Sequence, residues 1–427
     1  MTYRQPLSGI ETPEHAENPY EQATAHLTAG ELGHKIVPRI DQYAEAARMP
    51  RRKFLKTACG MAAAMLAVNK VTGSRFFEVA EAEAMSEEAV EQQAAELGKA
   101  SELIVDAHSH VCWRQDGFVL GKNTSERGMI FVNSMDSLGK SFGLEGGIRD
   151  MTVDNFGNLV FDNSETSIAI VNPFGFREDY GDQDMMPIDE LAELRRRWPN
   201  RVVILGGGLT PNQGLTQTLE RLDMFVKDFQ ISGLKLYTFD ATPQKGWWFD
   251  DEKLAYPIWE RCRELGVTNI GCHKGIPFSH FAARYAHPID MDQAAEDFPD
   301  MNWIVFHSAY PYITELVGLK AFKGHRKNLY CELGSTFAVL VSNRPLECAH
   351  TLGRLLRDFG PDYVMWGTDS MLWGSPQWQI EAFRRFRIPD ELVEGYGYPQ
   401  LTDEIKRKVL GENAAQIWDL PGQAIAG

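Results

Sequence analysis

The chain has 427 residues, of which 44% are hydrophobic and 24% charged, a globular composition long enough for one α/β barrel or two ordinary domains. Lys plus Arg number 43 against 59 Asp plus Glu, and the resulting net charge of −16 argues against nucleic-acid binding, which needs a basic footprint. Six cysteines without a CxxC pair argue against a disulfide scaffold, and no apolar run reaches the roughly 18 residues of a transmembrane span.

Residues 1–84 read as an N-terminal extension. Between Ala46 and Phe77 there is no Asp or Glu but there are seven basic residues, including Arg51-Arg52-Lys53-Phe54-Leu55-Lys56. A short apolar stretch, Thr57 to Val68, follows, and Ala80-Glu81-Ala82-Glu83-Ala84 offers A-x-A cleavage sites. The order resembles a twin-arginine export signal. That resemblance implies the twin-arginine export machinery as a partner and an exported or periplasmic location. About 50 residues precede the arginines, an unusual length, and Pro50 stands where Ser or Thr is expected. The alternative is a basic amphipathic helix on a cytoplasmic protein. Residues 85–102 read as a linker or short polar helix.

From residue 103 to 421, short β-rich runs alternate with amphipathic helical stretches, the pattern of parallel strands joined by helical crossovers. Strands are expected at Leu103–His110, Thr166–Pro173, Arg201–Gly207, Gly233–Tyr237, Val267–His273, Trp303–His307, Leu329–Leu333 and Tyr363–Gly367. Helices are expected at Pro187–Trp198, Leu215–Phe229, Tyr256–Leu265, Met291–Asp297 and Pro345–Phe359, and Thr402–Leu420 is expected to end in an amphipathic helix packed on the barrel exterior. Eight such units predict an α/β fold, a (β/α)8 TIM-type barrel. Residues 111–165 form a long insertion after the first strand. Its strand-like pieces Gly128–Asn133 and Leu159–Asp162 suggest a β-hairpin lid.

Metal- and proton-binding residue types fall at strand ends. His108 and His110 are two apart, so they share one face of the first strand. His273 ends the fifth strand, His307 the sixth, and Asp369 follows the eighth. In a barrel these ends converge on one pocket. Three imidazoles and a carboxylate suit zinc or a similar divalent ion with one position left for water, and a further histidine can move protons.

The motifs Val-Asp-Ala-His108-Ser-His110, Gly-Leu-Lys235-Leu-Tyr, Gly-Cys-His273-Lys-Gly, Phe-His307-Ser-Ala, Trp-Gly-Thr-Asp369-Ser and Leu410-Gly-Glu-Asn413-Ala resemble, in that order, the amidohydrolase superfamily. More narrowly, they resemble its amidohydrolase-related branch, which includes metal-dependent aromatic-acid decarboxylases and several hydrolases. The resemblance implies that His108, His110, His273 and Asp369 bind metal, and that Asp369 also holds the attacking water. It implies that His307 transfers protons, or binds a second metal in binuclear members. Lys235 stands where some members carry a carboxylated lysine bridging two metals; one ion is favoured here, with Lys235 in a buried salt bridge or a substrate contact. Ser308-Ala309-Tyr310-Pro311 replaces the family's common Gly-Gly, and the insertion is atypical, so specificity does not carry over. Trp113 and Arg114 could cover the pocket and bind an anionic substrate, or pack as ordinary loop residues. The expected activity is metal-dependent hydrolysis of a small-molecule amide, ester or lactone by activated water. The alternative is non-oxidative decarboxylation of a small aromatic or unsaturated carboxylic acid, which a well-placed Arg177 or Arg114 would favour. A homodimer is common in the family.

Overall fold

The computed structural model describes residues 29–89, 102–111, 125–173, 188–212, 214–239, 246–277, 283–322 and 327–421. Eight parallel strands form the centre: β1 (Val105–Ser109), β2 (Ile168–Val171), β3 (Val202–Ile204), β4 (Leu234–Tyr237), β5 (Asn269–His273), β6 (Asn302–Phe306), β7 (Leu329–Glu332) and β8 (Val364–Met365). They run in chain order as a three-stranded sheet β1-β2-β3 and a five-stranded sheet β4-β5-β6-β7-β8. Single parallel bridges join the sheets at both seams, Gly206 to Leu234 and Ser109 to Ser370. Helices follow the strands, among them Ile188–Arg197, Leu215–Phe229, Tyr256–Glu264, Ile289–Asp297 and Pro345–Arg354. This is the expected α/β architecture of TIM-barrel type, and each strand lies in or within one residue of its expected window.

Alternate strand residues divide between two apolar cores. Val105, Ala107, Ile168, Ile170, Leu205, Ile304, Phe306 and Met365 pack inside the ring, while Ala169, Leu234, Leu236, Ile270, Trp303 and Val305 pack under the helices. Ala414, Ala415 and Trp418 from the C-terminal helical segment join the inner cluster. Asn413 anchors that segment through its Nδ2, which donates to the carbonyls of Pro361 and Val364 at 2.7 Å each. The strands finish at the opposite end of the ring, where the expected ligand residues lie.

Two expectations need correction. The insertion is not a β-hairpin in its described part. Gly128–Asn133 lies inside an α-helix, Glu126–Ser141, whose N-cap Ser125 accepts from Gly128 N–H at 3.0 Å. Leu159–Asp162 lies in a helical turn over Gly157–Asp162. The apolar residues Phe131, Met135 and Leu138 recur at helical spacing, and that face packs on the core. The terminal segment does end in a helix, Asn413–Ile417, after Asp403–Arg407 and a wider turn over Lys408–Glu412, but Ala414, Ala415 and Trp418 pack into the inner cluster rather than on the exterior.

The extension folds against the barrel. Helices α1 (Ala29–Ala46) and α2 (Ala58–Thr72) pack on each other, and Phe54, Ala63, Ala67, Phe76 and Phe77 belong to the outer core. Of the twin arginines, Arg51 pairs with Asp41 at 3.1 Å and Arg52 donates to the Lys140 carbonyl. Thr57 caps α2 and Gly73, at φ 73°, ends it, a left-handed position suited to glycine. No helix among the described residues is long and apolar enough to cross a membrane.

Candidate metal centre

The β1 histidines reach the interior through a break in register. Val105 and Ala107 face inward, so strict alternation would send His108 and His110 outward. Between Asp106 and Ser109 the pairing with β2 shifts by one residue, a bulge that re-aims the strand end. His108 then packs edge-on against Phe306 at 4.8 Å between centroids, inside the ring. Asp106 secures the bulge: Oδ1 accepts the N–H groups of His108 (3.0 Å) and Thr368 (2.9 Å), and Oδ2 accepts the Thr368 hydroxyl. Burial pushes Asp106 up to about 7 against these bonds.

The two imidazoles meet through Nε2, 3.0 Å apart, and Asp369 Oδ1 lies 3.4 Å from His108 Nε2 and 3.0 Å from His110 Nε2. The opposite nitrogens fix the tautomers. His110 Nδ1 is 2.7 Å from the Asn172 carbonyl, which only accepts, so that nitrogen carries the hydrogen. His108 Nδ1 is 3.1 Å from Glu332 Oε2. With both Nδ1–H groups donated away, two lone pairs and a carboxylate oxygen converge on one buried point. Three acceptors so placed repel each other unless a cation answers them; Lys235 Nζ reaches only His108 Nε2, at 3.4 Å, and the nitrogen–oxygen donor set of the three fits a divalent ion.

The other expected residues divide. Lys235 Nζ is fully buried, 3.4 Å from both His108 Nε2 and the Tyr237 hydroxyl, and lies over the Tyr237 and Phe306 rings. Burial lowers it to about 8. His273 is placed one step from the three-acceptor cluster: its Nδ1 meets His307 Nε2 at 3.1 Å, and its Nε2 lies 3.4 Å from the Ile276 carbonyl. Burial holds His307 near 3 and His273 well below its ordinary value, so both are neutral. Trp113, Arg114 and Arg177 lie outside the described residues.

His307 begins a run of three left-handed residues, with φ of 62° at His307, 47° at Ser308 and 55° at Ala309. No glycine relieves that strain, so the surroundings hold it. His307 N–H donates to Glu332 Oε2 (3.1 Å), Ser308 Oγ to the Glu332 carbonyl (2.9 Å), and Thr336 Oγ1 to the His307 carbonyl (2.7 Å). Asp369 has φ 57°, and its Oδ2 accepts from Ser335 Oγ, which in turn accepts from Trp373 Nε1–H at 2.8 Å.

Sequence reasoning missed Glu332, Ser335 and Asp106. Glu332 had one available signal: it is an acid inside an otherwise apolar strand whose two faces are both buried.

A search of curated protein sequences returns no match. Among solved structures, the chain is similar to a manganese-bound 5-carboxyvanillate decarboxylase from Novosphingobium aromaticivorans (14% identity, TM-score 0.51, covering 76% of this chain and 97% of that one). It is also similar to an uncharacterized TIM-barrel protein from Bordetella bronchiseptica (16%, TM-score 0.49, 74% and 98%). A third similar structure is a 2,6-dihydroxybenzoate decarboxylase from Rhizobium (14%, TM-score 0.48, 74% and 98%). At these identities the likeness speaks to fold. The profile of the amidohydrolase family matches residues 105–420, so the chain belongs to that family.

Proposed function

We propose that this enzyme is a metal-dependent hydrolase acting on an amide, ester or lactone of a small molecule. The observation that carries the reading is the convergence of His108 Nε2, His110 Nε2 and Asp369 Oδ1 within 3.0–3.4 Å at the end of the barrel. A single divalent ion there, zinc as first candidate and manganese as second, supplies Lewis acidity that polarises a carbonyl and acidifies water. Asp369, ionised and held by Ser335, accepts the proton released as water attacks. Asp369 then gives that proton up to the leaving group, and the neutral His307–His273 pair beside the centre carries it there.

Lys235 favours a second reading, non-oxidative decarboxylation. A buried ammonium beside the clamp is a counter-ion for a substrate carboxylate, and the fold is shared with a 5-carboxyvanillate decarboxylase. The two chemistries leave different isotopic marks. Candidate amides, esters, lactones and small aromatic acids are incubated with metal-loaded enzyme in H₂¹⁸O and in D₂O. Hydrolysis puts ¹⁸O into the acid product; carbon dioxide release with deuterium on ring or vinyl carbon contradicts hydrolysis and assigns the decarboxylase.

A further inference from the structure

We propose that Glu332 is the positioning residue of the centre, setting the tautomer and tilt of His108 and the place of His307 through one oxygen. This deepens the metal-centre reading and rests on it. Glu332 ends β7 and is fully buried. Its Oε2 receives His108 Nδ1 at 3.1 Å and His307 N–H at 3.1 Å. The first contact keeps His108 Nε2 as a lone pair aimed at His110 and Asp369. The second holds the first of the three left-handed residues that carry the His307 ring. His108 and His307 belong to different strand ends, and the Glu332 carboxylate is bonded to both.

The neighbouring backbone is shaped to this carboxylate. A Cβ at Gly367 would stand 1.8 Å from Glu332 Oε1, and one at Gly334 would stand 3.0 Å from Oε2 and within 2.9 Å of both His108 Nδ1 and His307 Nδ1. Two glycines therefore leave room for this one group. A carboxylate behind a metal-binding imidazole raises its basicity and fixes its orientation, and loss of such a partner typically costs 10–100-fold in metal affinity.

The test compares Glu332→Leu, which removes the acceptor, with Glu332→Gln, which keeps an oxygen and removes the acid. Zinc and manganese affinities are measured by chelator competition, alongside melting of the metal-free proteins. We expect Glu332→Leu to bind metal at least about 10-fold more weakly and Glu332→Gln to recover part of that loss; Glu332→Leu, which strands the His307 N–H, also melts lower without metal, whereas Glu332→Gln melts close to wild type. Affinity unchanged in Glu332→Leu overturns the assignment while leaving the metal centre standing. Wild-type protein that binds no metal overturns the metal-centre reading itself. Should Glu332→Leu not fold, Glu332→Gln decides: weaker binding at unchanged melting supports the role, and equal binding overturns it.

A second inference rests on separate contacts. We infer that residues 29–84, including the twin-arginine sequence, stay on the folded enzyme as a brace. Phe77 bridges Phe386 in antiparallel fashion; Arg387 N–H donates to the Phe76 carbonyl (2.9 Å) and Glu78 N–H to the Arg385 carbonyl (2.8 Å). Glu83, inside the A-x-A sequence, pairs with Arg385 at 2.6 Å, and both side chains are almost wholly buried. Asn69 in α2 holds the approach, accepting from Phe76 and Phe77 N–H and donating to the Phe77 carbonyl. Loss of the segment after a cut at Ala84 would take Glu83 from a buried guanidinium, leaving it Glu381, and would uncover Phe386, on which Phe76 and Phe77 pack.

The full chain with a C-terminal tag is produced in a bacterium that has twin-arginine export, and the intact mass is read in each compartment. The brace predicts that residues 29–84 remain; a cut upstream of Ala29 agrees with it. A folded enzyme beginning at Met85 overturns it. A chain made directly from Met85 should aggregate or melt roughly 10 °C lower, and equal melting also overturns the inference.

Discussion

Ser335 donates its hydroxyl hydrogen bond to Asp369 Oδ2, leaving Oδ1 to face His110 Nε2 at 3.0 Å. The two residues are far apart in sequence, and Trp373 Nε1–H holds the serine from behind at 2.8 Å. One carboxylate thus has one oxygen for the metal side and one oriented by protein. Replacing Ser335 by Ala frees Asp369 to rotate. We expect kcat to fall about 10-fold with metal content unchanged, measured by turnover and elemental analysis on the same sample. Wild-type kcat in the variant removes Ser335 from the account.

Gly367→Ala should be among the most damaging single-methyl additions near the site. Its Cβ would overlap Glu332 Oε1 at 1.8 Å and crowd His108 Cβ at 2.8 Å. Overpacking of this kind costs about 1–3 kcal/mol, so the melting temperature drops and metal affinity falls with it. Urea unfolding of metal-free and metal-loaded protein checks both.

Lys320 lies away from the metal centre, buried under the Phe359 and Tyr363 rings, with the Leu329 carbonyl as acceptor at 3.4 Å. Burial lowers it from 10.5 to about 8. Between these values the unfolded chain holds more protons than the folded one, so this group's contribution to stability rises with pH across that window and is most unfavourable below it. Lys320→Met should therefore stabilise the protein near neutral pH by roughly 2 kcal/mol, with the advantage shrinking from pH 8 towards 10.5. Denaturant midpoints of both proteins at pH 7 and pH 10 test this; a constant difference refutes the assignment.

The strands were legible because parallel strands buried on both faces read as short apolar runs, and punctuation by helices fixed their number. Histidines at strand ends were legible for the same reason. Their convergence on one pocket was read as well, but not the means: a bulge between Asp106 and Ser109 that no alternation pattern encodes. The insertion was misread because Gly128–Asn133 is apolar enough for a strand, while the deciding contacts, Phe142 on Trp373 and Trp378, come from residues more than 200 positions away. Glu332 and Ser335 were hidden because their roles arise only when β7 and the following helix meet β1 and the loop after β8. The extension showed its charge pattern plainly, but the pairing of Glu83 with Arg385 is a tertiary fact.

The central claim is that His108, His110 and Asp369 hold a divalent ion. Elemental analysis of purified wild type beside His108→Ala/His110→Ala tests it most directly. The account predicts about one equivalent of zinc or manganese in the wild type and almost none in the variant. No metal in the wild type, or equal metal in both proteins, contradicts it.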